Sequence, residues 1–171
     1  MPELRYRAWQ LFAGWRARLT PAAITEIRAL LSADELLLFV AMAGRDQDHC
    51  LRVMRVIQHR GAGRRRSPSH QLLVAALLHD IGKGRLATWQ RVLFVLLDAA
   101  APQLARRIES DQGAGWRRAL WRLRHHARIG AEQLAAVGAD PRTVALVAGH
   151  TGPVPADDDD LTLLIAADRV S

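Results

Sequence analysis

Only one cysteine and one lysine stand among the 171 residues. The lone Cys50 excludes an internal disulfide framework. Aromatic residues make up 5% of the chain, and five of them are Trp. No stretch approaches the roughly 18 apolar residues that a membrane span needs. Glu3, Arg5 and Arg7 near the start have no apolar block behind them, so no secretory signal is read. The chain is therefore expected to be soluble and cytoplasmic. Val and Ile are outnumbered by Ala and Leu, and no convincing polar–apolar alternation occurs, which argues against a sheet as the scaffold.

What is present is apolar, helical and basic. Half the residues are apolar, enough at this length for one domain with a sizeable core. The net charge is +7, carried almost wholly by Arg, since Lys83 is the single lysine. A basic surface attracts nucleic acid, acidic lipid or a phosphorylated small molecule, while the plainer reading is Arg used where other chains use Lys. No nucleic-acid recognition motif accompanies the charge, so that partner is not expected.

The pattern predicts an all-α, single-domain helical bundle without internal repeats. An amphipathic segment at 4–18 carries Leu4, Trp9, Phe12 and Trp15. Thr20-Pro21 is a cap with Pro at the first helical position, opening a helix to about 31. Ser32 restarts a helix that ends near Gly44, and 46–59 forms the next. Residues 60–69, RGAGRRRSPS, read as a loop. Helices follow at 70–81, at 88–110 with Pro102 as a kink or restart, at 116–137 closing on Gly138, and at 141–150. The last opens in the acidic run 157–160, where carboxylates suit a helix N-terminus, and carries Leu161 to Val170. Residues 1–40 are read as a helical extension packed on a core domain at 41–171; capping the bundle and forming a homodimer are both open uses for it.

Several polar residues fall on faces that should be buried. Side chains three, four and seven apart share a helix face. His49 lines up with Val53, Val56 and Ile57, His79 with Leu72, Ala75 and Ala76, and His126 with Ala119 and Leu123. His150 lines up with Leu146 and Val147, and Asp168 with Leu161, Leu164 and Ile165. A single inward His is usually a hydrogen-bonded core residue. An inward carboxylate costs several kcal/mol unless a cation or metal meets it, and Arg169 points to another face than Asp168. Four such His with Asp80 and Asp168 make a donor set for a transition metal, which a bundle core can converge. Lys83 overlooks the same point from one turn past His79, and Gly82 and Gly84 are read as leaving room for a ligand. His125, beside Trp121, Arg122 and Arg128, is read as lying on a basic, solvated face, and His59 and His70 as surface residues.

At these residues the chain resembles the HD superfamily of metal-dependent phosphohydrolases. LLVAALLHDIGKG at 72–84 resembles the core His-Asp motif, DQDHCLRVMRV at 46–56 the first His motif, and HARIGAEQL at 126–134 the segment supplying a further His. His150 and AADRV around Asp168 complete the order. The resemblance implies a first metal site at His49, His79, Asp80 and Asp168. It implies that Asp80 bridges to a second ion at His126 and His150, so that one or two divalent ions (Mn, Fe, Co, Ni or Zn) serve as cofactor. Where binuclear members carry two adjacent His, this chain has Gly149-His150. After His150 it reads TGPVP, without the Gly-Tyr-Pro signature of the cyclic di-GMP phosphodiesterase branch. The implied activity is hydrolysis of a phosphate ester or phosphodiester, with a nucleotide as the expected substrate. Asp80 and Lys83 are the catalytic candidates, with Lys83 and Arg52 on the substrate; for Arg52, pairing with a nearby acid remains the alternative. The rival reading is a non-catalytic module of the same type that binds a nucleotide or a partner protein.

Overall fold

The computed structural model describes residues 19–62, 67–112, 115–154 and 156–171. The amphipathic segment at 4–18 and the centre of the arginine loop at 63–66 lie outside the described residues. Among the described residues there are nine α-helices, one 3₁₀ turn and no strand.

Helix α1 (Pro21–Leu30) begins where its cap is: the Thr20 hydroxyl accepts from the Ala23 amide, and Pro21 fills the first position. Helix α2 (Ala33–Ala41) opens on a capping box in which Ser32 and Glu35 satisfy each other's backbone amides. Ala23, Ile27, Leu31, Phe39 and Met42 all join the central buried cluster. The extended backbone of Met42 (ψ 161°) ends α2. Gly44, expected to close that helix, instead opens α3 (Gly44–Ala62). Helix α3 also outruns its expected end at 59. His59 and Arg60 occupy its last turn, where cations suit the carbonyl end of the dipole.

Helix α4 (His70–Leu78), capped by Ser69, is the axis of the fold. It buries six of its nine residues, Leu72 and Val74 to Leu78. A helix apolar on all sides must be surrounded. Helices α3, α8 (Pro141–Gly149) and α9 (Asp159–Asp168) pack around it, and α1 and α2 add to the cover. The expected helix at 70–81 stops at Leu78, and a 3₁₀ turn takes over at Ile81–Lys83. Against that turn lies the longest helix, α7 (Trp116–Ala136).

Proline 102 is a restart rather than a kink. Ala101 (φ −148°, ψ 62°) leaves the helical region, as a residue before Pro prefers, and separates α5 (Thr88–Ala100) from α6 (Pro102–Ile108). Helix α8 starts at Asp140-Pro141 and α9 at Asp158, whose side chain accepts from the Leu161 amide. The acidic run thus supplies the cap as well as charge for the dipole.

Candidate metal centre

The six polar residues read as inward-facing come from five separate segments. His49 is on α3, His79 and Asp80 on the exit of α4, His126 on α7, His150 at the end of α8, and Asp168 at the end of α9. His79 keeps helical angles, but Asp80 (φ −100°, ψ 3°) has left them. That bend turns both neighbours to one side, which an unbroken helix, at about 100° per residue, would not do.

Glycine 82 lets α7 come close enough to deliver His126. A Cβ at position 82 would collide with the His126 carbonyl oxygen and stand 2.7 Å from the Gly130 nitrogen. The expectation that Gly82 leaves space for a ligand is therefore corrected: the space is taken by the α7 backbone. Gly84 has φ +63° and lies under the Arg122 guanidinium, which donates to the Gly82 carbonyl at 3.0 Å. Arg122 accordingly packs over the turn instead of lying on a solvated face.

Two clusters of donor atoms result. In the first, His49 Nε2 is 2.8 Å and His79 Nε2 3.4 Å from Asp168 Oδ1. In the second, His126 Nε2 is 3.5 Å from Asp80 Oδ1 and 3.1 Å from His150 Nε2. Asp80 joins them, with Oδ1 3.6 Å from His79 Nε2 and Oδ2 4.0 Å from His49 Nε2. Within each cluster the donor atoms lie within 4.8 Å of one another.

The hydrogen-bond roles say what the clusters want. His79, His126 and His150 each direct Nδ1 at the carbonyl three residues earlier, at 2.9, 2.7 and 2.7 Å. A carbonyl only accepts, so Nδ1 carries the hydrogen and Nε2 presents a lone pair to the centre. His79 Nε2 and Asp80 Oδ1 are buried with no hydrogen-bond partner. Acceptors gathered without a donor are costly unless a cation lies among them. The residues present therefore fit a divalent ion, with carbonyls orienting the imidazoles from behind.

The electrostatics agree. Burial together with His79 and His126 pushes His150 down to about 3, and burial lowers His126, so both rings are neutral lone-pair donors. Burial would raise Asp80, but His79, Lys83 and His126 hold it well below the usual carboxylate range. Burial would likewise raise Asp168, and His49, hydrogen-bonded to it, together with the neighbouring His79 holds it low. On His79, burial opposes charge, yet Cys50, Asp80 and Asp168 outweigh it and the pKa rises. The carboxylates carry that effect, because burial pushes the Cys50 thiol up and leaves it neutral.

Lys83, expected on the substrate, makes an ion pair with Asp80 Oδ2 at 2.6 Å. His125 stacks on Trp121 and approaches Glu109 at 3.4 Å, away from the clusters. His59 and His70 are exposed. Arg52 is exposed and donates to the main-chain oxygen of Ser171 at 3.4 Å. A Cβ at position 149 would stand 2.8 Å from Leu161 Cδ2, so that position faces α9.

Sequence reasoning missed three supports. Cys50 is fully buried with Sγ 3.7 Å from His79 Nδ1. Arg91 grips the buried Asp46 with two bonds, 3.0 and 2.6 Å, at the start of α3. Gln47 donates to the carbonyls of Phe39 and Met42, fixing the α2–α3 corner. Asp46 and Gln47 stand just before His49 in the quoted motif, which was the available signal; Arg91, 45 residues away, had none.

No curated protein and no solved structure gave a match to this chain. A family model described as HD domain matches residues 47–171, the span that holds every one of the six residues. With the His-Asp motif at 79–80 between the two donor clusters, the chain belongs to the HD-domain family, the superfamily of metal-dependent phosphohydrolases.

Proposed function

We propose that this protein is a metal-dependent phosphohydrolase acting on a small phosphorylated substrate of the nucleotide class. The observation that carries the reading is a pair of buried polar atoms without a hydrogen-bond partner, His79 Nε2 and Asp80 Oδ1, beside the facing His126 Nε2 and His150 Nε2. His49, His79, Asp80 and Asp168 would hold one ion. Asp80, His126 and His150 would hold another. Imidazole and carboxylate donors suit Mn, Fe, Co, Ni or Zn. A divalent ion there supplies Lewis acidity to phosphoryl oxygens and makes water acidic enough to attack near neutral pH.

The chain's own groups do the rest. Asp80 holds the two clusters in register and orients Lys83 through Oδ2. The Lys83 ammonium has three donors, of which Asp80 takes one, so others can meet phosphoryl oxygens as negative charge builds on them. The buried walls of α4, α7 and α8 keep bulk water from the inner side, which strengthens each of these interactions. The mouth is at His49 and Asp168, whose side chains are 23% and 32% exposed against 0% and 1% for His79 and Asp80.

The test is a panel of phosphomonoesters, phosphodiesters and nucleotides offered to purified protein with Mn²⁺. Hydrolysis that chelator abolishes and metal restores is expected. A metal-replete protein that hydrolyses nothing across the panel would replace this reading with that of a binding module.

A further inference from the structure

Helix α5 is turned inside out. None of its thirteen residues is buried, and it rests on α7 and α6. Its two charged residues face the body of the protein: Arg91 grips Asp46, and Asp98 pairs with Arg124 at 2.9 Å. Phe94, on the same side, meets the Arg124 guanidinium 5.5 Å from its ring centre. Trp89, Val92, Val95 and Leu96 lie on the other side, each more than half exposed. At about 100° per residue these four, with the exposed Ala99, span an arc of roughly 120°, the width of a stripe that normally faces a core. No charged side chain interrupts it. Single exposed apolar residues need no explanation, but a contiguous stripe marks an interaction surface.

Charge decides what covers the stripe. From Arg85 to Arg107 the one acid is Asp98, already held by Arg124. Arg85 stands exposed before α5, and Arg106 and Arg107 stand exposed on α6 after it. None of the three pairs with an acid among the described residues. A second copy laid on the stripe would bring the two sets of arginines together on chains of net charge +7, and like charges facing each other oppose association. Residues 4–18, with four Arg and no acid, would meet the same repulsion. An anionic lipid surface reverses the sign. It also demands no matching groove, which suits a helix with no buried residue of its own. Trp, Val and Leu beside Arg are the side chains of helices that lie in the headgroup layer, and Trp favours that layer in particular. No helix among the described residues is long and apolar enough to cross a membrane, so the contact is with the surface.

We propose that α5 docks the protein on an anionic lipid surface. Trp89, Val92, Val95 and Leu96 enter the boundary between headgroups and acyl chains, and Arg85, Arg106 and Arg107 supply attraction to the lipid phosphates. This is independent of the hydrolase reading, since docking requires no turnover.

The experiment is co-sedimentation of the full chain with vesicles of phosphatidylcholine alone and of phosphatidylcholine with about a third phosphatidylglycerol, paired with sedimentation velocity without lipid. Partitioning to the anionic vesicles is expected to exceed that to the neutral ones by at least about tenfold, given three arginines near the surface. V92D/L96D should lose that binding, and R106A/R107A should weaken it several-fold. L37D, which charges an equally exposed leucine on α2, should leave it unchanged. Circular dichroism melting checks that each variant is folded. Absence of binding to the anionic vesicles would overturn the proposal, as would equal binding to the neutral ones. So would binding that survives both V92D/L96D and R106A/R107A, or that L37D abolishes as well. A wild-type dimer that V92D/L96D splits into monomers would give the face to a second copy and overturn it too.

Discussion

His126 Nε2 faces His150 Nε2 at 3.1 Å, while each ring donates its Nδ1 hydrogen to a carbonyl three residues back. Two neutral imidazoles in that tautomer turn lone pairs toward each other. The pair repels unless something positive sits beside it. Asp80 Oδ1, 3.5 Å from His126, adds a further acceptor.

His126→Ala should therefore lose one ion while His125→Ala keeps the wild-type metal content. His125 is engaged with Trp121 and Glu109 and presents nothing to the centre. Elemental analysis of the two purified variants decides it. Loss of metal in the His125 variant with retention in the His126 variant would be the reverse of what the geometry requires.

Asp80 and Lys83 should differ in kind. Asp80→Asn removes the charge shared by both donor clusters, so metal content and activity should fall together. Lys83→Ala removes one cation at the mouth, and losing one such stabilising group typically costs about 10²–10³-fold in rate. Its metal content should survive. Full activity in Asp80→Asn, measured with metal in excess, would refute the mechanism.

Gly82→Ala tests how α7 is placed. The added methyl would collide with the His126 carbonyl, a backbone atom that cannot swing aside. Overpacking of this sort costs about 1–3 kcal/mol, and here it should also push His126 off the centre. Gly149→Ala, whose methyl meets only the end of the Leu161 side chain, should cost less. Urea unfolding with parallel metal analysis separates the two. Equal destabilisation would contradict the backbone contact described here.

The Asp158–Arg142 pair makes a pH-dependent prediction away from the centre. Asp158 accepts from the Leu161 amide and from Arg142, and its carboxyl is held at about 2, mainly by Arg142, below the ordinary 3.8. A depressed carboxyl stabilises the fold above its unfolded value and loses that contribution as pH falls through the folded one. Asp158→Asn keeps a capping side chain and removes the charge. It should be less stable than wild type at pH 7 by under about 1 kcal/mol, as expected for a partly exposed pair. The gap should close between about pH 4 and pH 2. A gap in the urea midpoint that stays constant over that range would show the charge to be irrelevant.

Local signals were legible in the sequence. Thr20-Pro21, Ser32 with Glu35, and Asp140-Pro141 each start a helix where their side chains can cap one. His49, His126 and His150 stood out because helical periodicity put them among apolar neighbours. What was not legible depends on contacts between distant segments. The bend at Asp80 follows from a turn that α7 covers, and the role of Gly82 follows from a carbonyl 44 residues further on. The pairing of Arg91 with Asp46 has no periodic signature. The Lys83–Asp80 ion pair was not foreseen because Lys83 was placed on the substrate and Asp80 on the metal.

The most direct test of the central claim is the metal content of the wild type beside His79→Ala, His126→Ala and Asp168→Ala. Each protein would be loaded with Mn²⁺ or Zn²⁺, desalted and measured by elemental analysis, with folding checked by circular dichroism. The account predicts tightly held metal in wild type, loss of one ion in the His126 variant, and deeper loss in the His79 and Asp168 variants. A folded wild type that retains no metal, or variants that all retain the wild-type amount, would contradict it.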